Sequence, residues 1–177
     1  KVYLSSFDSA NLSSIASTRI NQKYLPGVSL PEEIQVMGLN QELLKKTDCV
    51  VICVKSPYFA KALSVLNNHS APFKVLWATK GFDLESGALL SETVSKHYGN
   101  GIEHGVLSGP TFAEELSLGK PAAITLATNT IKDPSELAAS MSNENLRVYI
   151  SADPIGVQLG GSLKNIIAIA SGISDAM

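Results

Sequence analysis

Short apolar runs alternate with longer stretches of helical spacing along most of the chain, and this alternation is typical of α/β proteins. The runs have the length of strands and lie at Val2–Leu4, Cys49–Val54, Lys74–Thr79, Gly105–Leu107, Ala122–Ala127 and Leu146–Ile150. The stretches of helical spacing lie at Ser9–Arg19, Pro57–Asn67, Gly87–Tyr98, Phe112–Leu118, Pro134–Met141 and from Pro154 to near residue 177. Several runs are continuously apolar, which indicates strands covered on both faces. We therefore predict a doubly wound, mostly parallel sheet with helices on each side.

Tyr24–Pro31 interrupts this pattern. Two prolines and a glycine fall within these eight residues, so we expect an irregular connection there rather than a regular element. Cys49 and Cys53 lie four apart in an apolar run, and we expect both to be reduced core residues.

The composition is that of a chain with a buried core. Of the 177 residues 45% are hydrophobic, and 14 basic against 16 acidic side chains give a net charge of −2. A disordered tail or a nucleic-acid-binding arm would need lower hydrophobicity or a strongly one-signed charge, so both are excluded. The longest apolar run is too short to span a bilayer, and Lys1–Asn11 has no secretory signal. We predict a cytoplasmic protein with neither nucleic-acid partners nor membrane insertion.

Candidate chemistry lies where successive strands end, because open parallel sheets bind ligands beyond the carboxyl ends of their strands. Ser56 precedes a proline, a pattern that predicts a helix N-cap with free backbone N–H groups. Lys80 and Gly81 place a cation and a flexible backbone at the next strand end, and Thr111 and Glu114 have capping-box spacing after the third. Each feature alone is typical of an ordinary helix start or a solvated charge. Their succession favours a phosphate site.

The last helical stretch carries a lone cation, Lys164, which shares a face with the small residues Gly160, Gly161 and Ala168. Two interpretations stay open: the side chain extends to solvent, or it projects into a site as an acid–base group.

Elsewhere, Gly99–Gly105 runs from a helix into a strand and so does not fit a dinucleotide-binding turn. The three histidines have no metal-ligand spacing, and no metal site is predicted.

Six blocks of the sequence together form a specific pattern: Asn21–Gly27, Trp77–Gly81, Leu90–Glu92, Leu107–Glu115, Arg147–Tyr149 and Gly160–Asp175. These blocks closely resemble the bacterial NAD(P)-dependent glycerol-3-phosphate dehydrogenases. The resemblance covers nearly the whole chain in the right order. It implies a Rossmann-like dinucleotide-binding domain over residues 1–152, followed at 153–177 by the first helix of an all-α substrate domain.

The resemblance also implies an activity, the reduction of dihydroxyacetone phosphate by NADH or NADPH to sn-glycerol 3-phosphate, the backbone of phospholipids. In that family, the lysine matching Lys164 is the general acid for the carbonyl oxygen. Implied substrate-binding residues are Lys80, Gly109, Thr111, Lys164 and Asn165, and cofactor-binding residues are Lys80, Ala113 and Phe7, with Ser56 added from the strand-end pattern. A homodimer is compatible with the resemblance.

The sequence also departs from the family pattern. The family's N-terminal strand, its glycine-rich pyrophosphate loop and nearly all of its helical domain are not matched within these 177 residues. Phe7 stands where a basic residue or a histidine is common near the adenine ribose, and Lys55 stands where a proline is common. Two alternatives stay open from the sequence: a dehydrogenase of another small hydroxy acid, and a cofactor-binding protein without catalysis.

Overall fold

The computed structural model describes residues 1–67 and 73–176 and contains alternating strands and helices, as predicted. The strands are β1 (Val2–Leu4), β2 (Ile20–Asn21), β3 (Leu25–Ser29), β4 (Ile34–Val36), β5 (Cys49–Ile52), β6 (Lys74–Trp77), β7 (His104–Ser108), β8 (Ala122–Ala127) and β9 (Leu146–Ser151). The helices are α1 (Ser9–Thr18), α2 (Gln41–Leu44), α3 (Phe59–Asn67), α4 (Leu90–Tyr98), α5 (Ala113–Ser117), α6 (Pro134–Met141) and α7 (Pro154–Asp175).

Strands β5 to β9 lie side by side in chain order and form one sheet. The pairs β5–β6, β6–β7 and β8–β9 are parallel, and β7–β8 is antiparallel. A second parallel pair, β1–β4, is a separate two-stranded sheet. The predicted α/β class with a mostly parallel, doubly wound sheet is therefore confirmed.

The core confirms that helices cover both faces of the central sheet. Successive residues of β6 point to opposite sides: Val75 and Trp77 join one buried cluster, whereas Leu76 joins the other. The first cluster includes Phe59 of α3, whose ring meets the Trp77 ring edge-on at 5.8 Å between centroids. The second includes Ala138 of α6. A strand buried on both sides has no polar alternation, which is why these runs are continuously apolar.

The prediction of an irregular connection at Tyr24–Pro31 is wrong. Residues 25–29 form β3, which pairs antiparallel with β2. Pro26 is tolerated because this sheet has two strands only, so one side of each is a free edge that needs no N–H donor. Gly27 adopts a φ of +78°, and the register shifts between Ile20 and Asn21, as in a bulged hairpin. Short elements such as β4 and α2 gave no period that the sequence could reveal.

The prediction that both cysteines are core residues holds for one of them. Both are free thiols, and Cys49 packs against the second cluster, where burial raises its pKa to about 11. Cys53 is exposed and lies one residue beyond the end of β5 at Ile52.

Helix α7 begins as its sequence predicts. Asp153 caps it by accepting a hydrogen bond from the Gly156 N–H at 2.8 Å, and Pro154 occupies the first turn. Across residues 1–67 and 73–176, no helix is long and apolar enough to cross a membrane.

Candidate active site

The carboxyl ends of β5, β6 and β7 meet at one edge of the central sheet because these strands run parallel. Buried Thr79 ties two of these ends together: its hydroxyl donates to the Val54 carbonyl at 2.8 Å. The segments that follow the three strands are therefore held side by side.

The first two of these segments touch each other. Gly81 has a φ of +111°, and a Cβ placed on it would lie 3.2 Å from the Ser56 Oγ. A side chain at position 81 would be strained by its backbone and crowded by that hydroxyl. The sequence prediction that brought Ser56 and Lys80 to one place is consistent with this contact.

The prediction that Ser56 caps a helix is wrong. Ser56–Tyr58 forms a single 3₁₀ turn, and Lys55, at the N-cap position of that turn, makes no side-chain capping bond. The turn starts one residue earlier than predicted, so Ser56 is its first residue and not its cap. Helix α3 then follows directly, from Phe59.

The third segment begins at Gly109, where the neighbouring strand leaves no space for a side chain. A Cβ on Gly109 would lie 2.5 Å from the Ala123 carbonyl oxygen and 2.9 Å from the Ile124 Cα. Packing against β8 is thus enough to require glycine here, whether or not the backbone also contacts a substrate.

The capping box predicted for Thr111 and Glu114 is also wrong. The N-cap residue of α5 is Phe112, and it makes no side-chain capping bond. The helix begins one residue later than predicted, so Thr111 lies one residue before the N-cap position. Its N–H donates instead to the Gly109 carbonyl at 3.0 Å. Glu114 falls in the first turn of a five-residue helix.

Helix α7 packs onto the same edge through Gly161. A Cβ placed on Gly161 would lie 3.0 Å from the Ser108 Oγ and 3.9 Å from the Lys80 Cγ. The next residue, Ser162, accepts a hydrogen bond from the Gly81 N–H at 3.1 Å. We name the group Ser56, Lys80, Gly81, Ser108, Gly161 and Ser162 the strand-edge cluster.

Lys164 lies two residues beyond this cluster on α7, and its side chain is exposed. Its ammonium Nζ stands 5.4 Å from the centroid of the Phe112 ring, which is within the range of a cation–π contact. Phe112 separates Thr111 from Ala113, so the ammonium faces the segment that carries two further predicted binding residues. Of the two interpretations of Lys164, the structure combines parts of each: the side chain is solvated, and it lies beside the predicted site.

The other predicted residues have less contact with this cluster. Phe7 follows β1, which is not hydrogen-bonded to the central sheet, and its side chain is 49% exposed. Ala113 is exposed at the start of α5. Asn165 belongs to α7, but its side chain lies outside the described residues.

Sequence reasoning missed three residues that hold the cluster together: Thr79, Gln158 and Ser162. Gln158 is 5% exposed, and its amide binds the first turn of α4, so it links two helices. The available signal was Gln158, a polar residue one turn before Ser162 on a largely apolar helix. That spacing does not show that Ser162 would bind the backbone N–H of Gly81.

No group of three or more histidine, cysteine, aspartate or glutamate side chains that could hold a metal ion occurs among residues 1–67 and 73–176. The strand-edge cluster instead offers hydroxyls, a cation and glycines that permit close approach. A parallel sheet with such an edge is typical of a nucleotide-binding domain.

Comparison with known proteins assigns the family. The family model for the N-terminus of NAD-dependent glycerol-3-phosphate dehydrogenase matches residues 1–133, and the model for its C-terminus matches residues 153–177. The chain therefore belongs to the NAD-dependent glycerol-3-phosphate dehydrogenase family, as its sequence blocks predicted.

Individual relatives agree with this assignment. The chain is 40% identical over 171 residues to glycerol-3-phosphate dehydrogenase (NAD(P)+) of Nitrosococcus oceani, which covers 96% of this chain and 50% of the relative. It is 38% identical over 170 residues to the protein of the same name from Haemophilus influenzae, and the match covers 95% of this chain and 51% of that relative. The crystal structure of glycerol-3-phosphate dehydrogenase from Coxiella burnetii superposes with a TM-score of 0.89 at 34% identity. The superposition covers 99% of this chain and 54% of that structure's chain. The chain spans about half the length of the curated relatives it matches.

Proposed function

We propose that the protein is an NAD(P)-dependent oxidoreductase that reduces dihydroxyacetone phosphate to sn-glycerol 3-phosphate. The observation that carries the proposal is the position of α7. One turn of this helix packs on Lys80 at the strand edge, and the next residues present Lys164 over the adjacent segment. Membership of the family and the names of its relatives supply the substrate class.

The strand-edge cluster fits an anionic ligand. Lys80 is exposed there, with the hydroxyls of Ser56 and Ser108 nearby, and α3 directs the positive end of its dipole toward the same edge. The cofactor, when bound, supplies the hydride. Ser56, Lys80, Ala113 and Phe7 are the residues proposed to hold it.

The substrate is proposed to lie between Lys80 and Lys164. Lys80, Gly109, Thr111 and Asn165 would bind and orient it, with the lysine neutralising phosphate charge. Lys164 donates a proton to the carbonyl oxygen, where negative charge develops, and its neutral amine accepts that proton in the reverse direction.

We infer no strong preference for NADPH over NADH. Phe7 offers no charge to a 2′-phosphate, and two basic side chains of the same N-terminal segment already have partners. Arg19 donates to the carbonyls of Pro31 and Ile34. Lys23 forms an ion pair with Asp8 at 2.7 Å, a hydrogen bond that lowers the pKa of this carboxyl.

Residues 1–152 are proposed as a dinucleotide-binding domain and 153–177 as the start of a helical substrate domain. The C-terminal family match from residue 153 and the exposed apolar side chains of α7 support this division. A cytoplasmic location is proposed because the apolar runs are too short to span a bilayer, and a homodimer is proposed as compatible with the family resemblance.

A steady-state assay of the intact natural enzyme tests the function. With NADH or NADPH we expect turnover on dihydroxyacetone phosphate, little on a panel of 2-keto acids, and kcat/KM values for the two cofactors within a hundredfold. Preferential turnover of a keto acid would assign a different dehydrogenase, and tight cofactor binding without any turnover would assign a non-catalytic binding protein.

A further inference from the structure

A single side-chain hydroxyl joins the Lys80 loop to α7. The backbone N–H of Gly81 donates to the Ser162 Oγ at 3.1 Å, although the two residues are 81 positions apart in the sequence. Gly81 directly follows Lys80, so this bond fixes the backbone from which the lysine projects.

The hydroxyl of Ser162 is oriented for this task. It donates its own proton to the Gln158 carbonyl one turn earlier, at 2.8 Å, which leaves an oxygen lone pair to accept from Gly81. Both bonds are therefore made at once by one oxygen.

Gln158, whose backbone carbonyl accepts this hydrogen bond, is itself held by three further hydrogen bonds of its side chain. Its side-chain Nε2 donates to the Ser91 Oγ at 3.0 Å and to the Pro154 carbonyl at 2.9 Å, and its Oε1 accepts from the Ser91 N–H at 3.1 Å. Ser91 lies in the first turn of α4, whose N-cap residue, Leu89, provides no side-chain cap. Gln158 thus supplies a missing cap from another helix and fixes the rotation of α7.

We propose that Ser162 is a positioning residue that sets the place of Lys80 relative to Lys164 through the Gly81 N–H. The proposal rests on the proposed function, in which Lys80 binds anionic groups of cofactor and substrate. Because Lys164 follows Ser162 by two residues on the same helix, one rigid segment controls the distance between the two lysines. The stem of Lys80 also lies near Gly161, since a Cβ placed on this glycine would come within 3.9 Å of the Lys80 Cγ.

The test compares the intact natural enzyme with three variants. Ser162→Ala removes the acceptor, Ser162→Thr keeps a hydroxyl, and Ser171→Ala makes the same change at an exposed serine of the same helix. The measurements are hydrogen exchange in peptides that span residue 81, the Kd of NADH by fluorescence titration, and KM and kcat for dihydroxyacetone phosphate.

For Ser162→Ala we expect faster exchange at residue 81 and about a three- to tenfold rise in the Kd of NADH and in KM. We expect a smaller change in kcat, and values near those of the parent for Ser162→Thr and Ser171→Ala. Unchanged exchange, or unchanged Kd and KM, in Ser162→Ala would overturn the positioning role, and so would failure of Ser162→Thr to restore them in a folded protein. A parent that binds NADH but does not turn over dihydroxyacetone phosphate would instead overturn the proposed function, while exchange and Kd still decide the role of Ser162.

Discussion

The two halves of α7 lie in different surroundings. In the half before Lys164, Gln158 is 5% exposed, Gly161 touches Ser108, and Ser162 binds Gly81. In the half after it, the large apolar side chains lie on the surface, with exposed fractions between 58% and 66% for Ile166, Ile167, Ile169 and Ile173. Val157, which packs against the first core cluster, attaches this helix together with the polar and small residues, whereas these four isoleucines stay on the surface. We call the half of α7 before Lys164 the anchored half and the half after it the exposed half.

This difference explains how a solvated lysine can be held in a defined place. The backbone around Lys164 is fixed by the anchored half, whereas its side chain leaves the helix where packing ends. An exposed side chain costs little desolvation when it is charged, which is compatible with the proton-donor role proposed for Lys164. The Phe112 ring at 5.4 Å gives that ammonium one preferred direction.

The largest expected effect comes from removing the charge at the boundary between the halves. Lys164→Met in the intact enzyme should lower kcat by at least about a hundredfold, because a positioned acid contributes roughly 10²–10⁴-fold. Its stability should change by less than about 0.5 kcal/mol, since the side chain is exposed. Steady-state kinetics and chemical denaturation measure the two quantities.

Lys61→Met serves as the control for Lys164→Met, because Lys61 is an exposed lysine on α3. It should keep parental kcat. If Lys164→Met retains turnover within a few-fold of the parent, the lysine only extends to solvent and the catalytic assignment is wrong.

A second effect concerns the strength of the anchored half. Gln158→Leu has nearly the same volume but leaves the Ser91 N–H and hydroxyl without their partner. We expect the free energy of unfolding to fall by about 1–3 kcal/mol, the usual cost of unsatisfied buried polar groups. Gln41→Leu, at an exposed glutamine in α2, should change it by less than about 0.5 kcal/mol. Equal values for the two variants in urea denaturation would mean that Gln158 does not anchor α7.

The sequence revealed the central sheet because buried strands are long enough to show continuous apolar runs, as β6 does around Trp77. It did not reveal β3, where Pro26 and Gly27 hide a strand that needs hydrogen bonds on one side only. Strand ends located Ser56 and Lys80 at one edge. The two predicted helix caps, Ser56 and Thr111, were wrong because each turn or helix starts one residue away from the predicted start. Local spacing does not resolve a difference of one residue.

Long-range polar contacts were beyond local patterns for a similar reason. The bond from Gly81 to Ser162 joins residues far apart in sequence, so neither residue carries a local signal of the other. Blocks that resemble the family marked Lys164 and Gly109, but Gly109 also has a packing reason that only the position of β8 exposes.

The smallest expected effect separates two adjacent glycines of the anchored half. A Cβ on Gly160 would meet nothing within 4 Å, whereas one on Gly161 would lie 3.0 Å from the Ser108 Oγ. Gly160→Ala should therefore stabilise the protein by about 0.5–1 kcal/mol, because alanine favours the helix and restricts the unfolded chain. In Gly161→Ala the same gain is opposed because the new methyl group crowds Ser108 and displaces it or the helix. The free energy of unfolding of Gly161→Ala should therefore be about 1 kcal/mol lower than that of Gly160→Ala. Urea denaturation of both variants gives the difference directly. Equal stabilisation by the two alanines would show that α7 does not press on the strand edge at Gly161, and the contrast between an anchored and an exposed half would lose its closest contact.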